Sequence, residues 1–375
     1  MIQDSTQEQF LELVRAGLFP GKAARILVHG STVDWGEIYL LAEEQSVIGL
    51  IAAGLEVLPP AERPPQEVLL QIIGSALQIE QQNNELNAYL TKLVGLLRQK
   101  DVYAILVKGQ GIAQCYEKPL WRASGDIDLL LSDTNYDNAK KVLTPLAVSA
   151  DKEYTSFKHL GMTMDGGFVV ELHGTMHSRL TKRIDKVINE AQRDVFFGGN
   201  VRSWDNDGTT VFLPAPDSDV IFVFTHILRH FFFEGIGLRQ ICDWCRLLWT
   251  YRSVIDVRLL EKRLREAGLM SEWRAFAAFA VEYLGMPVEA MPLYSADKRW
   301  RRKAAKICAD ILKVGNFGHK QRRDFSGMNY LWRKFVSVWG RLSDMLRHFS
   351  IFPKDSVVFF GGVLRTGLYA AVRGE

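Results

Sequence analysis

Cysteine is scarce in this chain, with four in 375 residues: Cys115, Cys242, Cys245 and Cys308. Four thiols spread over so long a chain do not make a disulfide framework, and they read as reduced. A membrane-spanning run is also missing. No stretch of eighteen uninterrupted apolar residues occurs, and the longest candidate, Ser356 to Val372, is broken by Arg365 and by glycines. The first residues, MIQDSTQEQF, show no cationic stretch leading into an apolar core, so no signal peptide is expected. Internal repeats and low-complexity segments are absent, and the net charge of +3 is small. These absences point to a cytoplasmic globular protein with no transmembrane segment. Its length suggests two or three domains.

Residues 1–100 carry helical periodicity, in FLELVRAGL, WGEIYLLAEEQSVIGLIAAGLEVL and VLLQIIGSALQIEQQNNELNAYLTKLVGLLRQK. The prolines of PPAERPP, at 59–65, interrupt it. Residues 101–215 change character, with short β-type runs (VYAILV, IDLLL, FVVELH, TTVFL) between helical or turn segments. From Pro216 to the end, residues 216–375, helices return. The first is expected to be capped by Asp217 or Ser218, and others are expected at about 238–250, 257–268, 271–284 and 298–313. The expected class is α+β, a central mixed sheet flanked by helical regions.

The chemistry concentrates between Tyr103 and Leu131. Asp126-Ile127-Asp128 follows a glycine-bearing turn and opens a leucine run that reads as a buried strand. Side chains alternate along a strand, so the two carboxylates share a face roughly 7 Å apart. Such a pair can chelate a hard divalent cation, Mg²⁺ or alternatively Mn²⁺. Upstream, a strand ending at Val107 runs into Lys108-Gly109-Gln110-Gly111 and a short helix from Ile112 to Tyr116. A glycine turn at a helix N-terminus offers free N–H groups to a phosphate. A third carboxylate, Glu171, shares a face with Val169 and His173 in GFVVELH. A neighbouring strand could bring it beside the pair, giving the three acids that two-metal phosphoryl transfer uses around ions roughly 4 Å apart.

Lys108-Gly109, Tyr116, Pro119, Arg122, Gly125, Asp126-Ile127-Asp128 and Glu171-Leu172-His173 together resemble a family of uncharacterised bacterial nucleotidyltransferases. That family belongs to the DNA polymerase β-like nucleotidyltransferase superfamily, and GLRQICDW at 237–244 is similar to one of its helices. The resemblance implies a polymerase β-like core and an NTP substrate. It assigns the catalytic metals to Asp126 and Asp128, with Glu171 as the third acid. Lys108 and Arg122 would contact the triphosphate, and Gly109 and Gly125 would shape the turns around it. His173 would orient Glu171 or touch substrate. Where the wider superfamily has a Gly-Ser pair, this chain has Lys108-Gly109, and Asp126 follows Gly109 by seventeen residues.

Two other readings share these motifs. A glycosyltransferase also places a DxD on a metal, but normally after a sizeable nucleotide-binding βα unit, whereas here a hundred helical residues precede it. A non-catalytic nucleotide-binding or antitoxin-like module would be expected to have lost an acid, and this chain keeps all three. Cys242 and Cys245 with His226 and His230 have the residue types of a zinc site. Both pairs fall in amphipathic helices, where packing explains them more simply. Finally, Lys298 to Arg347 holds fourteen Lys and Arg against three acidic residues, interleaved with aromatics such as Trp300, Phe317 and Trp332. Solvated helices account for this region; nucleic acid, acidic protein partners and an anionic lipid surface are the alternatives.

Overall fold

The computed structural model describes residues 5–19, 21, 33–154, 158–315, 343 and 345–362. The N-terminal helices are α1 (Ser5–Leu18), α2 (Trp35–Glu44), α3 (Ile48–Glu56) and α4 (Gln66–Arg98). The helical run from Trp35 breaks at Ser46, whose φ is 56°. Gln45 beside it is buried and bridges remote parts of the chain, donating to Ile311 O at 3.1 Å and accepting from Leu238 N at 2.9 Å. Prolines separate α3 from α4 as their chemistry requires.

The central elements are β1 (Ile105–Val107), α5 (Gly109–Ala113), β2 (Asp126–Leu130), α6 (Asp133–Leu143), β3 (Ala147–Ala150), β4 (His159–Met164), β5 (Val169–His173), α7 (Lys182–Phe197), β6 (Val201–Asn206) and β7 (Thr209–Pro214). The seven strands form one sheet in the order β3-β4-β5-β2-β1-β7-β6. It is mixed: β2 runs parallel to β5 and β1 parallel to β7, while the other pairs are antiparallel. This α+β architecture matches the expected class. The turn helix sits earlier than expected, on Gly109–Ala113, because the chain bends at Lys108 directly after β1.

The C-terminal helices are α8 (Pro216–Phe233), α9 (Leu238–Thr250), α10 (Val257–Ala267), α11 (Met270–Leu284) and α12 (Lys298–Val314). The cap of α8 is Ala215, not Asp217 or Ser218, since Pro216 takes the first helical position, where its missing N–H is no loss. Asp217 instead accepts from Asp256 N at 2.8 Å. Among the described residues no helix is long and apolar enough to cross a membrane.

The two faces of the sheet differ in chemistry. On one, Leu106, Ile127, Leu129, Met162, Val170 and Leu172 pack with Leu86, Leu90 and Leu93 of α4 and with Tyr136 and Leu143 of α6. The other face is apolar at Ile105, Val107 and Leu130, which join a core shared with α1, α3, α8, α9 and α11. It turns polar toward the start of β2, where Asp126 and Asp128 replace leucines on the same side. At Gly49 of α3, a Cβ would lie 2.0 Å from Trp121 O, so only glycine lets α3 approach the segment leading into β2 this closely.

Candidate active site

Three acids gather because β2 and β5 are direct parallel neighbours, with Asp128 opposite Glu171 and Leu130 opposite His173. On the other side of β2, Asp128 stands opposite Val107, the last residue of β1. Lys108 therefore enters the site one residue beyond the strand. Its Nζ lies 2.9 Å from Asp128 Oδ1. The backbone there is strained: Lys108 has φ 58° and ψ −145°, a region left almost entirely to glycine, and Gly109 follows at φ 36°. Such strain persists only where the surroundings over-determine it, and it clusters at functional sites.

A cavity of about 430 Å³ opens over this corner, lined by Lys108, Gly109, Arg122, Asp126, Asp128, Glu171 and His173 among others. Gly125 is not in its wall; it is exposed in the loop before β2, with open space where a Cβ would stand.

The charges here are strongly interdependent. Burial works against the Lys108 ammonium, but Asp128, Glu171 and Asp126 outweigh it and hold its pKa above the usual lysine value. Burial also opposes the Asp128 carboxylate, while Lys108 and His173 more than compensate and keep it below the usual range. Hydrogen bonding from His159 and then His173 holds Glu171 far below its usual range. Asp126 goes the other way, pushed up by burial and by the charge of Asp128. His173 is buried, with Nε2 2.7 Å from Asp128 Oδ1 and 3.4 Å from Glu171 Oε2. Burial disfavours its charge, yet the hydrogen bonds to the two acids lift its pKa.

These residues suit a hard divalent cation. They supply carboxylate oxygens on one sheet face, and Asp128 already holds a cation in the Lys108 ammonium.

Arg122 borders the cavity and is at the same time bonded to α9. Its Nε and Nη2 donate to Asp243 Oδ1 and Oδ2 at 3.1 and 2.6 Å, and its Nη1 to Ser124 Oγ at 2.9 Å. Tyr116 donates to the same Asp243 Oδ1 at 2.8 Å. The Tyr116 to Arg122 segment is thus closed onto α9. From the other flank, buried Asn83 of α4 donates to Leu120 O and Arg122 O at 2.7 and 2.8 Å. Arg122 still borders the cavity, but two edges of its guanidinium are committed to this clamp.

Three contributors carried no signal of their own in the sequence. Asp243 and Arg239 sit in GLRQICDW, where only the resemblance marks them. Arg239 lines the cavity, donates to Ala123 O at 2.7 Å, and offsets a small part of the upward push on Asp126. Its own pKa is lowered by burial and by Arg122. His159 at the start of β4 is opposite His173, and its Nε2 lies 3.1 Å from Glu171 Oε2. It belongs to no motif, and only strand register brings it here.

The cysteine and histidine pairs do not assemble. Cys242 and Cys245 are fully buried in the helical core, whereas His226 and His230, their rings 4.2 Å apart, line the cavity. Of the basic region, α12 is described: Trp300 is buried, with the guanidinium of Arg299 4.3 Å from its ring centre. Residues 316–342, with Phe317 and Trp332, lie outside the described residues.

A mixed sheet with acids on adjacent parallel strands, facing a lysine-glycine turn at a helix start, has the layout of a nucleotidyltransferase. A family model described as "Uncharacterised nucleotidyltransferase" matches residues 31–285, more than half of the chain. The protein belongs to that family. Comparison with curated proteins and with solved structures gives no match.

Proposed function

We propose that this protein transfers a nucleoside monophosphate from an NTP to an acceptor hydroxyl, releasing pyrophosphate, with Mg²⁺ or alternatively Mn²⁺ as cofactor. The observation that carries the reading is the convergence of Asp126, Asp128, Glu171 and Lys108 on one cavity wall. Asp126 and Asp128 would hold the ion, with Glu171 as the third ligand. Bound there, the ion would neutralise phosphate charge and lower the pKa of the attacking hydroxyl. Lys108 is placed to pass from Asp128 to a phosphate oxygen, keeping one charge-assisted contact throughout. The buried His173, against both Asp128 and Glu171, fixes the orientation of their carboxylates. Arg239 and Arg122, which both border the cavity, add positive charge to it. Phosphoryl transfer needs chiefly this positioning and charge neutralisation.

The acceptor is a sugar, a small molecule, a protein side chain or an RNA end. The four free cysteines, all buried, agree with a reducing compartment, and the proposal places the reaction in the cytoplasm. The test is incubation with Mg²⁺ and each α-labelled NTP, following pyrophosphate release and label on offered acceptors. Turnover that disappears in Asp126→Ala/Asp128→Ala supports the reading. Turnover equal in wild type and variant refutes it, as does a wild type that turns over no NTP and binds none.

A further inference from the structure

Glu171 has a second set of neighbours that an all-oxygen magnesium site does not require. His159 on β4 and His173 on β5 are register partners, and Glu171 stands two residues before His173 on the same face. Opposite Glu171 the β4 residue is Gly161, which brings no side chain to that row. The Glu171 Oε2 to His159 Nε2 and His173 Nε2 distances are 3.1 and 3.4 Å. One ligand atom from each of the three residues falls within 4.8 Å of the other two. Around a metal with bonds of about 2.1 Å, neighbouring tetrahedral ligand atoms stand about 3.4 Å apart. One edge of the triangle has that length, a second is 0.3 Å shorter, and the third is no longer than 4.8 Å.

We infer that His159, Glu171 and His173 form a binding site for a divalent transition ion, of the two-imidazole, one-carboxylate type. Imidazole nitrogen favours Zn²⁺, Co²⁺ or Fe²⁺ over Mg²⁺, which prefers an octahedron of oxygens. The three protein ligands all come from one side, the side of two adjacent strands, so the remaining coordination positions face the cavity. His173 Nε2 now leans on Asp128 Oδ1 at 2.7 Å. On metal binding its proton leaves to solvent and its lone pair goes to the ion, while Asp128 keeps its contact with Lys108. The existence of this site does not depend on nucleotidyl transfer. Its role rests on that reading, in which it supplies the second ion beside the one held by Asp126 and Asp128.

The test uses Co²⁺ alone, added to the full chain without nucleotide and followed by visible absorption. A four- or five-coordinate site with nitrogen ligands gives an intense d–d band, which a large excess of Mg²⁺ leaves in place. Proton NMR of the wild-type Co²⁺ complex is expected to show two exchangeable, hyperfine-shifted imidazole N–H signals, a readout that needs no variant. His159→Asn, checked for folding by circular dichroism, weakens Co²⁺ binding by about tenfold or more. Asp126→Asn, outside the three ligands, leaves the band. The inference is overturned by the absence of the band, by its displacement by Mg²⁺, by a single imidazole signal or none, or by a His159→Asn protein that binds as the wild type does. A wild-type protein that shows the band but neither binds nor turns over any NTP would count against the transferase reading alone.

Discussion

Asp243→Ala is the sharpest perturbation available, because it removes the acceptor on which Tyr116 and Arg122 both converge. The pair is buried: side-chain exposure is 7% for Arg122 and 5% for Asp243. An exposed ion pair contributes about 0–1 kcal/mol, but removing one partner of a buried one strands a desolvated charge and costs about 3–5 kcal/mol. Loss of the Tyr116 hydrogen bond adds about 1 kcal/mol. Against a total stability of about 5–15 kcal/mol, this is a large fraction. Urea unfolding followed by far-ultraviolet circular dichroism should show the midpoint falling accordingly. Replacing the whole cluster, Tyr116→Phe/Arg122→Met/Asp243→Leu, removes the stranded groups along with their partner. It is expected to recover most of the loss, since buried pairs often exchange for apolar residues at little net cost. A loss below about 1 kcal/mol in Asp243→Ala would refute the account, because it would mean that water reaches the pair. A triple variant no more stable than the single one would equally show that the charge was never stranded.

Two further outcomes follow from the same geometry. Lys108→Ala and Lys108→Gly both remove the ammonium beside Asp128, and both should abolish turnover. Lys108→Gly should be the more stable of the two by about 1–2 kcal/mol, because glycine adopts φ 58° without strain; equal melting temperatures would contradict this. The thiols form the second case. Burial pushes Cys115 up to about 11 and Cys308 up to about 12, and it raises Cys242 and Cys245 as well. Native protein at pH 8 should therefore resist iodoacetamide at all four and react at all four once unfolded. Since these folded pKa values lie above the unfolded thiol value of about 8.5, their contribution to stability is complete below that pH and lost as pH rises through the folded values. Prompt labelling of Cys242 or Cys245 in the native state would overturn the packing account.

Strand alternation in the sequence was enough to put Asp126 with Asp128, and Glu171 with His173, on common faces. It could not show that β2 and β5 are parallel neighbours with Asp128 opposite Glu171, because register is fixed by pairing between distant segments. The C-terminal helices were legible to within a residue or so from their 3.6-residue periodicity, as at Leu238–Thr250 and Val257–Ala267. Strands β3, β4 and β6 were not. Ala147–Ala150 is mostly exposed at the sheet edge, His159–Met164 is interrupted by Gly161, and Val201–Asn206 alternates exposed with half-buried side chains up to a buried Asn206. None of these offers the apolar run that marked β2. The VYAILV run shortens to Ile105–Val107, since Tyr103 lies outside the sheet and is exposed. His159 was hidden with its strand. Asp243 was hidden for another reason: a buried aspartate in a helix is indistinguishable, in sequence, from a solvated one.

The closure of residues 116–122 between α4 and α9 has a bearing on how this protein can be cut or recombined. Asn83, from before the sheet in the chain, and Asp243, from after it, grip the same few residues that deliver Asp126 to its place. The catalytic corner is therefore not a portable cassette. Grafting the segment 101–215 into another scaffold would leave the approach to the first carboxylate untethered on both sides, so the smallest heritable unit of this site includes the flanking helices.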